Sequence, residues 1–209
     1  MCFSPEASFI ASAGLAVVGV ETLRIAKKKE KILAAIPLLF AAQQGIEGLQ
    51  WLALRQGDVN IAAGYGFLVF ALLVWSIYIP FTVYLLDDMK RHILKWFVWL
   101  GALLSLFFLW IIFTTPLAVE VVNKCIVYNA DFPRDVVHGL ALLYILIVSA
   151  PFLISSKPLF RWFGLFAFIS AFIAGTLFLA AFVSVWCFFA AVLSSLIYFY
   201  VLRLHSPVR

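Results

Sequence analysis

From residue 162 to residue 202 the chain carries no acidic or basic side chain, an apolar run of about 40 residues. A helix crosses a bilayer core with roughly 20 residues at 1.5 Å each, so this run is long enough for two crossings. No other feature constrains the fold as strongly. A soluble domain could not hide the run, because the rest of the chain is apolar too: 66% of the 209 residues are hydrophobic and 12% are charged. An ordinary soluble domain has about 25% charged residues. The mean hydropathy is +1.10. In lipid the backbone must satisfy its own hydrogen bonds, which leaves helices or a closed barrel. Long apolar runs without strict alternation select helices.

Seven spans fit, at about 7–24, 32–54, 61–85, 94–113, 136–154, 161–181 and 183–202. The expected fold is an all-α integral membrane protein, one seven-transmembrane-helix bundle occupying residues 1–209. Pro80 predicts a kink in the third span. The last two spans are divided near Phe182, although no Gly, Pro or charge marks a turn there. The opening MCFSPEASF lacks a basic n-region, and the first apolar run ends in basic residues rather than a small-residue cleavage site, so that run is read as a retained span.

Basic residues orient the bundle. Twelve flank one face: Arg24, Lys27, Lys28, Lys29, Lys31, Lys90, Arg91, Lys95, Lys157, Arg161, Arg203 and Arg209. Three flank the other: Arg55, Lys124 and Arg134. The asymmetry predicts the N-terminus outside and the C-terminus in the cytoplasm. Trp51, Trp110 and Trp186 are then expected near the outer interface, and Trp96, Trp99 and Trp162 near the inner one. The net charge of +5 does not point to nucleic acid, since the basic residues lie at span ends and form no patch interleaved with aromatics. Residues 114–135 form the one long connection. Two β-branched runs flank Asn123-Lys124 there, predicting a small extracytoplasmic β-hairpin between helices 4 and 5, a lid over the outer mouth. In span six Ala167, Ala171 and Gly175 recur every four residues, a spacing that permits close helix approach.

Glu47 is the one charged residue that must lie well inside a span. A carboxyl group there costs roughly 2.5 kcal/mol or more, so such residues usually face a bundle interior and serve a function. At 100° per residue Gln43, Glu47 and Gln50 share a narrow arc bordered by Gln44 and Trp51, about 10 Å below the outer end of the helix. The opposite face, Ala42, Ile46, Leu49 and Ala53, suits lipid or tight packing. Polar residues in a span can also act only as interhelical glue, at ~0.6 to 2 kcal/mol each. Four within eight positions exceed what glue requires. The expected ligand-binding set is Gln43, Gln44, Glu47, Gln50, Trp51, Tyr65, Glu6, His138 and Trp186. Catalytic candidates are Glu47, His138 and Cys2; metal candidates are Cys2, Glu47, His138 and Cys187. The three cysteines allow three pairings, with Cys125–Cys187 the candidate disulfide in an oxidising exterior and Cys2 left over. A free Cys2 beside His138 is the alternative, as a reactive thiolate or metal ligand.

Some chemistries are set aside. A retinal protein needs a Schiff-base lysine in its last span, and no Lys follows Lys157. A bis-histidine haem needs two intramembrane histidines, and seven-span zinc hydrolases related to alkaline ceramidases need several; one is available. No phosphate-binding loop, HExxH or GxSxG occurs. The cofactor and the oligomeric state are not readable.

The segments MCFSPEASF, AAQQGIEGLQWL and SVWCFFAAVLSSLI together resemble a family of uncharacterised bacterial multi-pass membrane proteins whose members begin Met-Cys-Phe-Ser. The resemblance implies a bacterial cytoplasmic (inner) membrane location and places Cys2, Gln44, Glu47, Trp51, Trp186 and Cys187 in its motif segments. Three functions compete. A polar cavity near the outer face binds a small ligand or ion, in a transporter or sensor; a metal- or thiol-dependent enzyme acts on a lipid or quinone-like substrate; or the chain is a structural subunit of a membrane complex.

Overall fold

The computed structural model describes residues 4–129 and 134–205. The helices are α1 (Pro5–Ile25), α2 (Lys31–Ala34), α3 (Ile36–Arg55), α4 (Ile61–Leu68), α5 (Trp75–Leu86), α6 (Arg91–Thr114), α7 (Arg134–Ile154), α8 (Pro158–Leu177), α9 (Phe182–Ser194) and α10 (Leu196–His205). A π-helical stretch, Val69–Val74, joins α4 to α5, and a 3-10 turn, Leu179–Ala181, precedes α9. Strands β1 (Ala118–Val122) and β2 (Cys125–Asn129) pair antiparallel.

Six helical stretches are long and apolar enough to cross a membrane: Pro5–Ile25, Lys31–Arg55, Ile61–Leu86, Arg91–Thr114, Pro158–Leu177 and Leu179–Leu204. The expected fifth span coincides with α7, within which His138–Ile154 is an apolar helix among the described residues. The turn expected near Phe182 falls at the 3-10 segment just before it. The second span is broken at Ala35, where Pro37 in the first turn of α3 lacks the N–H that a continuous helix would use.

Local chemistry explains the close contacts. Ser4 caps α1, its Oγ accepting the Ala7 N–H at 3.2 Å. Gly19 lets α1 lie against the α3 backbone, since a Cβ there would come 2.7 Å from the Leu38 nitrogen. Ser12 Oγ donates to the Ala41 carbonyl across the same contact at 2.7 Å. The third span carries a π-helical stretch upstream of Pro80. Pro80 lies within α5 and removes the donor that would meet the Ser76 carbonyl. That carbonyl faces Gly101 of α6, where a Cβ would overlap it.

The connections are tied at each end. Arg55, at the end of α3, donates two hydrogen bonds to Glu6, in the first turn of α1, at 2.5 and 2.8 Å. At the other end Asp87, buried after α5, accepts from Ser155 Oγ (2.6 Å), Ser156 N–H (2.6 Å), Ser156 Oγ (2.8 Å) and Lys90 N–H (3.1 Å). It thereby staples the α5–α6 turn to the α7–α8 turn. Of the six long stretches, the one containing α3 is the most enclosed, with 56% of its apolar window buried, which makes α3 the central element. Ala42 and Leu49 on its far face are exposed, as the pattern requires.

The hairpin is present where expected. Asn123 (φ 50°) and Lys124 (φ 61°) both adopt left-handed backbone, the geometry of a two-residue hairpin turn that matches strand twist. Cys125, Ile126 and Val127 are buried, and β2 packs against α9. The hairpin thus packs β2 against the bundle and leaves β1 largely exposed. The tryptophans divide. Trp96, Trp99, Trp110 and Trp162 are exposed, as membrane-facing aromatics would be. Trp51 and Trp186 are buried and do not belong to an interfacial belt.

Candidate functional site

Gln43, Gln44, Glu47 and Gln50 leave one side of α3 and are all fully buried. Their 3–4 residue spacing stacks them along about two turns. Ser184 on α9 donates to one Glu47 oxygen at 2.5 Å, and Gln44 Nε2 approaches the other at 3.4 Å. Trp75, at the start of α5, donates its indole N–H to Gln43 Oε1 at 2.7 Å. Its ring stacks on Phe40 at 4.0 Å between centroids, which fixes the indole and therefore the Gln43 amide. Cys187, one turn beyond Ser184 on the same face of α9, is a buried free thiol.

The hairpin closes the cluster. Tyr128 on β2 stacks on Phe67 of α4 at 4.6 Å, nearly parallel. Burial pushes its phenol well above the ordinary range, and the negative charges that Glu47 and Cys187 can carry push it the same way. Its hydroxyl is a neutral donor and acceptor beside the carboxyl group.

Eight buried side-chain polar atoms lack a hydrogen bond of ordinary geometry among the described residues, and five belong to this cluster: Gln43 Nε2, Gln44 Oε1, Gln50 Nε2 and Oε1, and the Tyr128 hydroxyl. Gln43 Nε2 has the Cys187 thiol as its neighbour, which leaves four without a partner. A buried polar group left unpaired costs about 1–3 kcal/mol, so such concentrations call for water or a ligand to satisfy them.

An apolar cavity of about 70 Å³ adjoins the cluster, with Phe40, Trp75, Tyr144, Phe152, Trp186 and Cys187 in its wall. Trp75 and Cys187 are the boundary: each touches the polar side and faces the void. The expected polar cavity is therefore two neighbouring features, a closed polar cluster and an aromatic-walled void. Tyr144 is oriented by donating to the Ala71 carbonyl at 2.5 Å, in the π-helical stretch, and Trp186 by donating to the Ala167 carbonyl at 3.1 Å.

The remaining expected site residues distribute as follows. Trp51 is buried one position beyond Gln50, and Tyr65 is half-buried on α4. Glu6 is exposed and engaged by Arg55, so its carboxylate serves a helix-end tie rather than the cluster. His138 is exposed on α7 and is not brought to Glu47. Cys2 lies outside the described residues. The candidate Cys125–Cys187 disulfide is not made: Cys125 is disulfide-bonded, whereas Cys187 keeps its thiol inside the bundle. Cys187 lies roughly 8 Å along α9 from its start at 1.5 Å per residue, facing the aromatic void, while Cys125 begins the hairpin strand. Among the described residues no three His, Cys, Asp or Glu side chains gather to hold a metal.

Sequence reasoning missed Ser184, Trp75 and Tyr128. The available signals were a mid-span Trp, whose buried N–H needs an acceptor, and a Tyr in the strand that follows the turn.

The chain is thus a helical protein suited to a lipid bilayer, with a buried polar cluster on its central helix. It belongs to the family of unknown function DUF6629, whose profile matches residues 1–209. No curated protein and no solved structure matches it.

Proposed function

We propose that this chain is a seven-span protein of the bacterial inner membrane, with its N-terminus outside and its C-terminus cytoplasmic. It binds a small hydrogen-bonding ligand or ion around Glu47, in the service of sensing or transport. The four partnerless polar atoms around that carboxyl group, on Gln44, Gln50 and Tyr128, carry the reading. They offer both donors and acceptors, which suits a compact polar molecule or a hydrated ion. The asymmetry of Lys and Arg supports the orientation, with Glu6–Arg55 at the outer end and Asp87–Ser155 at the inner end. The hairpin is the element that would have to yield for the ligand to enter, with Tyr128 on its bundle-facing strand.

The test is thermal unfolding of detergent-purified wild type and Glu47→Gln against Na⁺, K⁺, Mg²⁺, Ca²⁺ and a panel of small amides, amino acids and polyols. A ligand at 100 times its Kd stabilises the folded state by about 2.7 kcal/mol. At least one compound is expected to stabilise wild type saturably and Glu47→Gln much less. A flat panel for wild type, or equal shifts for both proteins, counts against the proposal.

A further inference from the structure

A second concavity lies away from Glu47, between α8 and α10. It measures about 370 Å³ and is lined by Trp162, Phe163 and Phe166 from α8 and by Phe199, Tyr200 and Arg203 from α10, with leucines between them. Its volume lies within the ~300–1,000 Å³ typical of small-molecule sites. The lining residues of α8 follow the one-face spacing 159, 162, 163 and 166, so the groove runs along the helix for about 10 Å at 1.5 Å per residue. Its walls are almost wholly apolar, which suits a hydrocarbon chain.

Charge is found at one end only. Arg203 lies in the last turns of α10, and Lys157 and Arg161 lie at the start of α8. Neither helix carries an acidic residue. Arg161 and Arg203 are exposed, and neither forms an ion pair among the described residues. Glu30, which is close to Tyr200, accepts the Lys27 backbone N–H at 3.0 Å. The groove is therefore apolar along its length and cationic at the end where the Lys and Arg asymmetry puts the cytoplasm. Basic pockets between helices on that side of a membrane bind anionic lipid headgroups.

We infer that the α8–α10 groove binds one anionic phospholipid of the cytoplasmic leaflet, its acyl chain along Trp162, Phe166 and Phe199 and its phosphate on Arg203. The inference rests on the bilayer environment and not on the Glu47 cluster, so either can fail without the other. Trp162, half-exposed at the mouth, gives the site an intrinsic reporter.

The test is native mass spectrometry of the full chain from mixed micelles carrying phosphatidylglycerol or phosphatidylcholine with identical acyl chains. Wild type is expected to retain one phosphatidylglycerol in preference to phosphatidylcholine. Arg203→Gln is expected to lose about fivefold of that preference, the effect of one basic residue near a lipid surface. Arg91→Gln, an exposed arginine outside the groove, should keep it. Phe199→Ser should weaken retention of both lipids, whereas a headgroup-only site would leave phosphatidylcholine unaffected. Equal retention of the two lipids by wild type overturns the inference. So does an unchanged preference in Arg203→Gln, or displacement of the lipid by inorganic phosphate alone.

Discussion

Replacing Gln50 with leucine separates the two explanations of the polar stripe by the sign of a stability change. Both polar atoms of the Gln50 side chain are buried and neither has a partner among the described residues. If Gln50 were interhelical glue, its loss would remove a protein–protein hydrogen bond and destabilise the fold by about 0.5–1.5 kcal/mol. The structure contains no such bond to remove. Leucine has a similar volume and no polar atoms, and replacing unpaired groups with apolar ones is neutral or favourable. Two orphan atoms at ~1–3 kcal/mol each set the upper limit of the gain at roughly 2–6 kcal/mol. Water at the site reduces that gain toward zero. The expected result is therefore no loss of stability in ligand-free protein, together with loss of any stabilisation by the ligand that binds wild type. Denaturant-dependent unfolding in a fixed mixed micelle reads the first outcome, and the ligand-dependent shift in Tm reads the second. A ligand-free loss of 1 kcal/mol or more would refute the reasoning, because Gln50 would then have a partner in the fold.

Three further outcomes follow from other contacts. Gly101→Ala is expected to destabilise by about 1–3 kcal/mol despite alanine's better helix propensity, because its Cβ meets the backbone carbonyl of Ser76, which has no rotamer to change; thermal unfolding checks it, and an unchanged Tm would mean that α5 and α6 are farther apart. Burial raises the Asp87 carboxyl, but hydrogen bonds from Ser155, Ser156 and the Lys90 backbone outweigh it and hold the group below its ordinary value. Its contribution is present above the unfolded carboxyl value, about pH 4, and is lost as pH falls through the lower folded value, so an acid scan of wild type should show a loss that Asp87→Asn, already destabilised, shows less. A non-reducing peptide map should find Cys125 cross-linked and Cys187 alkylated only after unfolding, and a Cys125–Cys187 cross-link would contradict the structure.

Local sequence pattern carried the helices, the hairpin turn and the polar stripe because each is specified within a few residues. Hydropathy marked the six long stretches, β-branched runs around Asn123-Lys124 marked the strands, and a 3–4 residue spacing put Gln43, Glu47 and Gln50 on one face. The partners of that face were not legible. Ser184 meets Glu47 across 137 residues, and Trp75 meets Gln43 across 32, separations that no periodicity encodes. Pro80 signalled a missing backbone hydrogen bond, but neither the room that Gly101 leaves for the freed carbonyl nor the π-helical stretch at Val69–Val74 was legible. Glu6 was read as a site residue because it opens a span; the deciding fact was Arg55, 49 positions away. Trp51 and Trp186 illustrate a further limit: a tryptophan near a span end has the same local sequence whether it faces headgroups or a core.

The polar groups of α3 are unevenly satisfied. Trp75 meets one atom of Gln43 and Ser184 meets one oxygen of Glu47, so neighbouring helices do supply partners when they are positioned to do so. A structure selected only for helix association would extend that pattern or replace the unmatched groups with leucine. Instead four polar atoms remain around the carboxyl group, at a combined cost of roughly 4–12 kcal/mol if nothing met them. That is comparable to the whole stability of an ordinary domain. Local rules broken at such cost mark functional positions. The π-helical stretch strengthens the case, since such bulges occur frequently at functional sites. It presents the Ala71 carbonyl to Tyr144 and lies between Phe67, which orients Tyr128, and Trp75, which orients Gln43. A change of register there would move both walls of the cluster together.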